Sequence, residues 1–108
     1  MESKQQPNLI YIFADQWRRQ AVGYEGEDQV ITPAIDAFAK ESVVFSNAVT
    51  CSPLCSPHRA ALLTGRYPIS TGVYTNCKIG ADVMLSPEET CISDVLADAG
   101  YKTGYIGK

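Results

Sequence analysis

Short continuous runs of apolar and β-branched residues lie at residues 8–14 and 43–45, and another begins at 103–106. Unbroken runs of this length are typical of strands covered on both faces, as in a parallel or mixed α/β sheet. The pattern therefore predicts three strands in an α/β fold. The first strand should end abruptly at the polar pair Asp15 and Gln16.

Helical segments carry start and stop signals. Thr32 followed by Pro33 predicts a helix start, with Thr32 as N-cap and proline at the first helical position, and this helix should end near Glu41. A second helix is predicted from Pro57, which again suits the first position, to a stop at Gly65.

A third helix is predicted from the spacing of Ser86 and Glu89, which matches a capping box with a proline between them. It should end at Gly100 and bury four apolar residues at helical spacing: Ile92, Val95, Leu96 and Ala99. Residues 69–84 have no sustained period and are interpreted as a loop. Tyr74, Asn76 and Lys78 in this loop could reach a substrate, but polar loop residues of this kind are expected to be merely solvated.

Composition describes an ordinary globular segment: 108 residues, 45% hydrophobic, with a formal net charge of −3. We expect a disordered lead at 1–7 and a single domain at 8–108. The sequence has no surplus of basic residues that would suggest a nucleic-acid partner. Its longest apolar run is too short to span a membrane. Residues 1–6 do not resemble a signal peptide, which favours a cytoplasmic location, or a periplasmic or secreted one if a leader was removed.

Candidate chemistry concentrates at residues 51–66, CSPLCSPHRAALLTGR. Cys55 should stand at a helix N-terminus, where free N–H groups and the helix dipole favour an anion. Arg59 lies four residues on and therefore shares a helix face with Cys55. His58 is interpreted as exposed structure rather than a catalytic base. Four cysteines without a CxxC pair predict neither a disulfide scaffold nor a zinc site.

The run Cys55-x-Pro57-x-Arg59, followed by Leu-Thr-Gly-Arg at 63–66, closely resembles the signature of the type I sulfatases in the alkaline phosphatase superfamily. The resemblance implies that a sulfatase-maturating enzyme oxidises Cys55 to formylglycine (3-oxoalanine). Cys51 also begins a Cys-x-Pro sequence, but Cys55 stands where the signature needs arginine. Cys55 is therefore the candidate.

The resemblance also implies a fold and a site. Residues 8–108 would be the N-terminal part of a catalytic domain with helices on both faces of its sheet. Asp15 and Gln16, together with the modified Cys55, would bind Ca²⁺, with Mg²⁺ or Mn²⁺ as alternatives. Lys108 would contact a sulfate oxygen. From the residues alone, Asp15 and Gln16 fit a polar strand-to-loop junction better than a metal site, and it is the resemblance that favours the metal site.

The chemistry implied by the resemblance is hydrolysis of a small-molecule or carbohydrate sulfate ester. Hydrated formylglycine is a gem-diol, one hydroxyl of which, activated by the metal, attacks sulfur and displaces the alcohol. The second hydroxyl then drives release of sulfate and restores the aldehyde. Arg59 would hold the formylglycine hydroxyl and the charge of the metal site.

Three alternatives compete with this interpretation. A thiol phosphatase needs a longer loop between cysteine and arginine than residues 56–58 provide. Phosphonate monoester and phosphodiester hydrolases of the same superfamily use the same formylglycine. An inactive fragment is the third alternative, because the Trp-His that follows Gly-Lys in sulfatases and the family's later metal ligands are absent from these 108 residues.

Overall fold

The computed structural model describes residues 6–78 and 82–108. These residues form a 3₁₀ turn at Gly23–Glu25 and four α-helices: α1 (Pro33–Lys40), α2 (Cys55–Thr64), α3 (Pro68–Thr71) and α4 (Ile92–Asp98). The chain divides into two compact units, Met1–Val44 and Phe45–Lys108. Most of the predicted disordered lead at 1–7 lies outside the described residues.

The predicted sheet is not confirmed, because the described part of the chain contains no strand. Residues 8–14, 43–45 and 103–106 form no strand ladder, and most of their apolar side chains are exposed, with Ile12 at 88% and Val43 at 80%. A strand requires hydrogen bonds to a second segment, whereas an apolar run reports only a tendency to be buried. The local sequence pattern therefore does not specify which segments pair as strands.

In the first unit, α1 has the predicted start and end, but Thr32 does not cap it through its side chain. The Thr32 hydroxyl instead donates to Asp36 Oδ1 at 2.7 Å and accepts the Gly23 N–H at 2.8 Å. Asp36 Oδ1 also accepts the Tyr24 N–H at 3.0 Å. These bonds join the 3₁₀ turn to α1. A Cβ on Gly23 would lie 2.5 Å from Asp36 Oδ2, so the close approach requires glycine.

In the second unit, α2 begins at Cys55 and ends at the predicted stop, Gly65, whose φ of 67° is left-handed. Pro57 is the third helical residue rather than the first, and the helix tolerates it because first-turn N–H groups have no intrahelical acceptor. Pro57 and Ala60 are the buried residues of the helix. Ala60 packs with Val73 and Val83, which form the core of this unit.

The remaining helices differ from the prediction. Short α3 overlaps the start of the segment predicted as a loop, and α4 begins at Ile92 rather than near Ser86. Residues 86–89 form a turn closed by a 3.1 Å bond from Glu89 N–H to Ser86 O. The capping box exists, but Cys91 and Asp94 form it. Two residues of the expected buried face, Ile92 and Val95, are more than half exposed.

Candidate active site

Cys55 lies at the N-terminus of α2, as predicted, and is its first residue, although the predicted helix began two residues later at Pro57. The preceding N-cap residue, Leu54, is extended and has no side-chain acceptor for the first-turn N–H groups. Cys55 is half-buried, and Arg59 follows one turn later on the same helix. Residues four apart lie on one face of a helix, so the thiol and the guanidinium belong to the same face of α2.

Arg59 connects α2 to the segment at 105–108. Its Nη1 donates to Tyr105 Oη at 3.1 Å and to the backbone oxygen of Lys108 at 3.0 Å. Tyr105 Oη in turn donates to the same Lys108 oxygen at 2.6 Å. These bonds place the Lys108 main chain beside the Arg59 guanidinium. Tyr105 orients both of them, and the sequence pattern gave no signal for that role.

A loop that follows α3 holds the first turn of α2. The Ser56 N–H donates to Asn76 Oδ1 at 3.0 Å, and the Cys77 N–H donates to Ser56 Oγ at 3.0 Å. Asn76 was expected to be merely solvated, yet it accepts a first-turn N–H of α2. A sequence signal does exist, since an apolar residue such as Leu54 at the N-cap leaves first-turn donors for another segment to satisfy.

His58 makes a structural contact. Its Nδ1 lies 2.8 Å from Thr50 Oγ1, which also donates to the backbone oxygen of Ser52 at 2.8 Å. The imidazole is half-buried rather than exposed. These contacts link the histidine to the segment before α2 and are consistent with the predicted structural role.

Asp15 and Gln16 lie in the first unit and are both exposed. Gln16 has a φ of 27°, and it is the one non-glycine residue with positive φ in the described part of the chain. Such strain in a non-glycine residue is uncommon and concentrates at functional positions. A carboxylate beside an amide oxygen is also the donor chemistry that a hard cation prefers. The pair therefore fits a calcium-type ion.

Two residues are only part of such a site, because Ca²⁺ takes about six to eight oxygen ligands. Within residues 6–78 and 82–108, no group of three or more His, Cys, Asp or Glu side chains could hold a metal ion. Asp15 and Gln16 would therefore supply part of a shell that needs further ligands.

A concave region lies between the C-terminal end of α2 and α4. It has a volume of about 730 Å³, and its lining includes Leu62, Arg66, Glu89, Cys91 and Val95. Arg66 Nη1 donates to both Glu89 carboxylate oxygens, at 2.5 and 2.6 Å. Cys55 belongs to the opposite end of α2. This region is therefore lined by the C-terminal part of the signature, including Arg66, and not by Cys55 or Arg59.

Cys91 should react slowly with iodoacetamide in the intact protein. Burial, followed by the charges of Asp94 and Glu89, raises the pKa of its thiol above the ordinary value. A raised pKa lowers the fraction of reactive thiolate at a given pH. We expect alkylation of Cys91 to reach half its maximal rate at a higher pH in the folded protein than in urea, as followed by peptide mass spectrometry. Equal midpoints would contradict the expectation.

Comparison with known proteins assigns these features to a family. Residues 7–108 match the family model described as Sulfatase. An ulvan-active sulfatase of Formosa agariphila is 51% identical over 102 residues, covering 94% of this chain and 19% of that relative. An endo-4-O-sulfatase of Bacteroides thetaiotaomicron is 43% identical over 119 residues, covering 99% and 23%.

A solved structure agrees with these sequence matches. The crystal structure of yidJ from Bacteroides fragilis superposes with a TM-score of 0.88 at 43% identity, covering 98% of this chain and 24% of that one. The chain therefore belongs to the sulfatase family, whose members have an alkaline-phosphatase-like fold. It spans about a fifth of the length of the curated relatives that it matches. None of the helices in the described residues is long and apolar enough to cross a bilayer.

Proposed function

We propose that the protein containing this chain hydrolyses a sulfate ester, with position 55 as the reacting residue. The observation that supports this most is the placement of Cys55 at the start of α2, one turn before Arg59, in a chain matched by the Sulfatase family over residues 7–108. The N-terminal position gives the reacting residue the positive end of the helix dipole. That environment favours an anionic sulfate ester over a neutral ester.

Position 55 acts in this proposal as formylglycine, produced from the cysteine by a sulfatase-maturating enzyme. The hydrated aldehyde supplies two hydroxyl groups, one to attack sulfur and one to allow the enzyme to be regenerated, whereas a thiol has no second hydroxyl. Half-burial of Cys55 restricts water around the reacting group. Arg59 carries a permanent positive charge one turn away, where it stabilises negative charge as the ester is cleaved.

Arg59 is held in place before the substrate arrives. Two acceptors, Tyr105 Oη and the Lys108 backbone oxygen, receive hydrogen bonds from its Nη1. The guanidinium group is planar and rigid, so its other N–H donors point in directions different from those of Nη1. Fixed donors reorganise little during reaction, so their stabilisation of developing charge is retained in full. Lys108 would offer its ammonium group to a sulfate oxygen.

Asp15 and Gln16 would hold part of the shell of a divalent cation, for which Ca²⁺ suits the oxygen donors best. Such an ion supplies Lewis-acid polarisation and favours deprotonation of a hydroxyl at neutral pH. The strained backbone of Gln16 supports a ligand role, since its φ of 27° has a cost that an ordinary turn residue would avoid.

The substrate class that we propose is a carbohydrate sulfate. The two curated relatives reported above are an ulvan-active sulfatase and an endo-4-O-sulfatase. Those names favour sulfate esters over the phosphonate monoesters and phosphodiesters that the superfamily also includes.

The test uses the full-length protein produced together with a maturating enzyme. Trypsin should release residues 41–59, which contain both Cys51 and Cys55. We expect an aldehyde at position 55 in the mass spectrum, an intact thiol at position 51, and release of inorganic sulfate from a sulfated oligosaccharide. A faster reaction with a phenyl phosphonate monoester would favour the alternative chemistry. Plain cysteine at both positions in maturation-competent cells would contradict the proposal.

A further inference from the structure

The loop after α3 exchanges two hydrogen bonds with Ser56, the residue next to Cys55. We call this pair of bonds the clasp. Asn76 Oδ1 accepts the Ser56 N–H at 3.0 Å, and Ser56 Oγ accepts the Cys77 N–H at 3.0 Å, across about 20 residues of sequence. Both Ser56 and Asn76 are half-buried. A pair of bonds running in opposite directions fixes the separation and the orientation of the two segments better than one bond does.

Helix capping explains why the clasp matters. An N-cap side chain normally accepts an N–H from the first turn, but Leu54 occupies this position in α2 and has no acceptor. The Asn76 amide oxygen takes over that role from a distant loop. Cys55 lies between the uncapped Leu54 and the clasped Ser56, so the backbone on its C-terminal side is held by Asn76.

We propose that Asn76 is a positioning residue, which fixes position 55 for reaction by capping α2 from outside the helix. The inference rests on the proposed function, in which position 55 is the reacting residue. Asn76 acts through Ser56 and the backbone, without contact to the substrate. Its removal should therefore affect the turnover of bound substrate more than the binding of substrate.

The experiment compares three substitutions in the full-length, matured protein. Asn76→Ala removes the acceptor, whereas Asn76→Asp retains one, because asparagine and aspartate cap helices about equally well. Ser56→Ala removes the return bond. Asn47→Ala is the matched control, since Asn47 is an exposed asparagine in the same unit. Formylglycine content is measured by mass spectrometry for every variant, and rates are expressed per aldehyde-bearing molecule.

We expect Asn76→Ala to lower kcat on 4-nitrophenyl sulfate by between about 10-fold and 100-fold, the scale of a misplaced reacting group, with KM within about twofold. Asn76→Asp should restore kcat to within a few-fold of wild type, and Ser56→Ala should fall between the two. A kcat for Asn76→Ala equal to that of Asn47→Ala would overturn the proposal. So would a loss that appears in KM and that aspartate does not restore, because Asn76 would then bind substrate.

A second measurement separates this inference from the proposed function. Residue-resolved amide hydrogen exchange should show the Ser56 N–H exchanging about fivefold faster in Asn76→Ala than in Asn47→Ala, the factor that corresponds to one net hydrogen bond. Unchanged exchange overturns the clasp whatever the activity. Matured wild-type protein that releases no sulfate overturns the proposed function, and the exchange result then decides alone whether Asn76 holds position 55.

Discussion

Cys55→Ala should abolish sulfate release from the full-length, matured protein. Loss of a nucleophile that acts as one unit with its surroundings typically costs roughly 10⁴-fold or more in kcat. Alanine has no group that can become an aldehyde, so the two hydroxyls needed at this position cannot form. Arg59 and the α2 N-terminus remain in place, and any residual rate measures what they contribute alone. The assay is inorganic sulfate released per enzyme molecule from a sulfated oligosaccharide.

Cys51→Ala is the matched control for this result. Cys51 also begins a Cys-x-Pro sequence, but it is exposed and precedes α2 by four residues. We expect its activity to stay within about twofold of wild type, since exposed substitutions away from structural contacts have small effects. A large loss in Cys51→Ala together with retained activity in Cys55→Ala would show that the reacting cysteine had been assigned to the wrong position.

Asp15→Asn should weaken calcium binding by more than about 100-fold, because loss of partners outside the ligand shell already costs about 10- to 100-fold. Asparagine retains an oxygen donor but loses the negative charge that strengthens the binding of a divalent cation. Sulfatase activity should fall in parallel. Isothermal titration of the metal-stripped, full-length protein with Ca²⁺ measures the binding directly and does not depend on turnover.

Glu27→Gln provides the comparison for Asp15→Asn, since Glu27 is an exposed carboxylate in the same unit. It loses the same unit of charge, so any difference between the two variants reports coordination rather than net charge. We expect Glu27→Gln to bind Ca²⁺ as the wild type does. Equal calcium affinity in the two variants would exclude Asp15 as a ligand.

Helices whose ends are marked by local chemistry were predictable from the sequence. Pro33 marked the start of α1, and Gly65, whose left-handed φ suits glycine, marked the end of α2. The predicted strands depended on partners that no local pattern specifies, and in the described residues these segments have no regular secondary structure. Membership of the sulfatase family was predictable because the signature is one contiguous motif. The location of Cys55 at the N-terminus of α2 followed from the same short segment.

Features that join distant parts of the chain were missed. The start of α4 was placed too early because Ser86 and Glu89 have capping-box spacing, whereas the actual box uses a thiol at Cys91, an unusual N-cap. The contacts of Asn76 with Ser56 and of Tyr105 with Arg59 cross 20 and 46 residues. Periodicity reports which face of an element is apolar, but it does not report which side chains meet across a fold.

The hydrogen bonds between residues 76–77 and Ser56 have a consequence for protein engineering. Surface loops are the usual choice for grafting, randomisation or insertion when a new substrate preference is sought, because they tolerate change. Here a library across residues 74–78 would also vary the support of the reacting position, and losses of turnover would be mistaken for failures of recognition. A library that keeps Asn76 and varies its neighbours would separate the two effects.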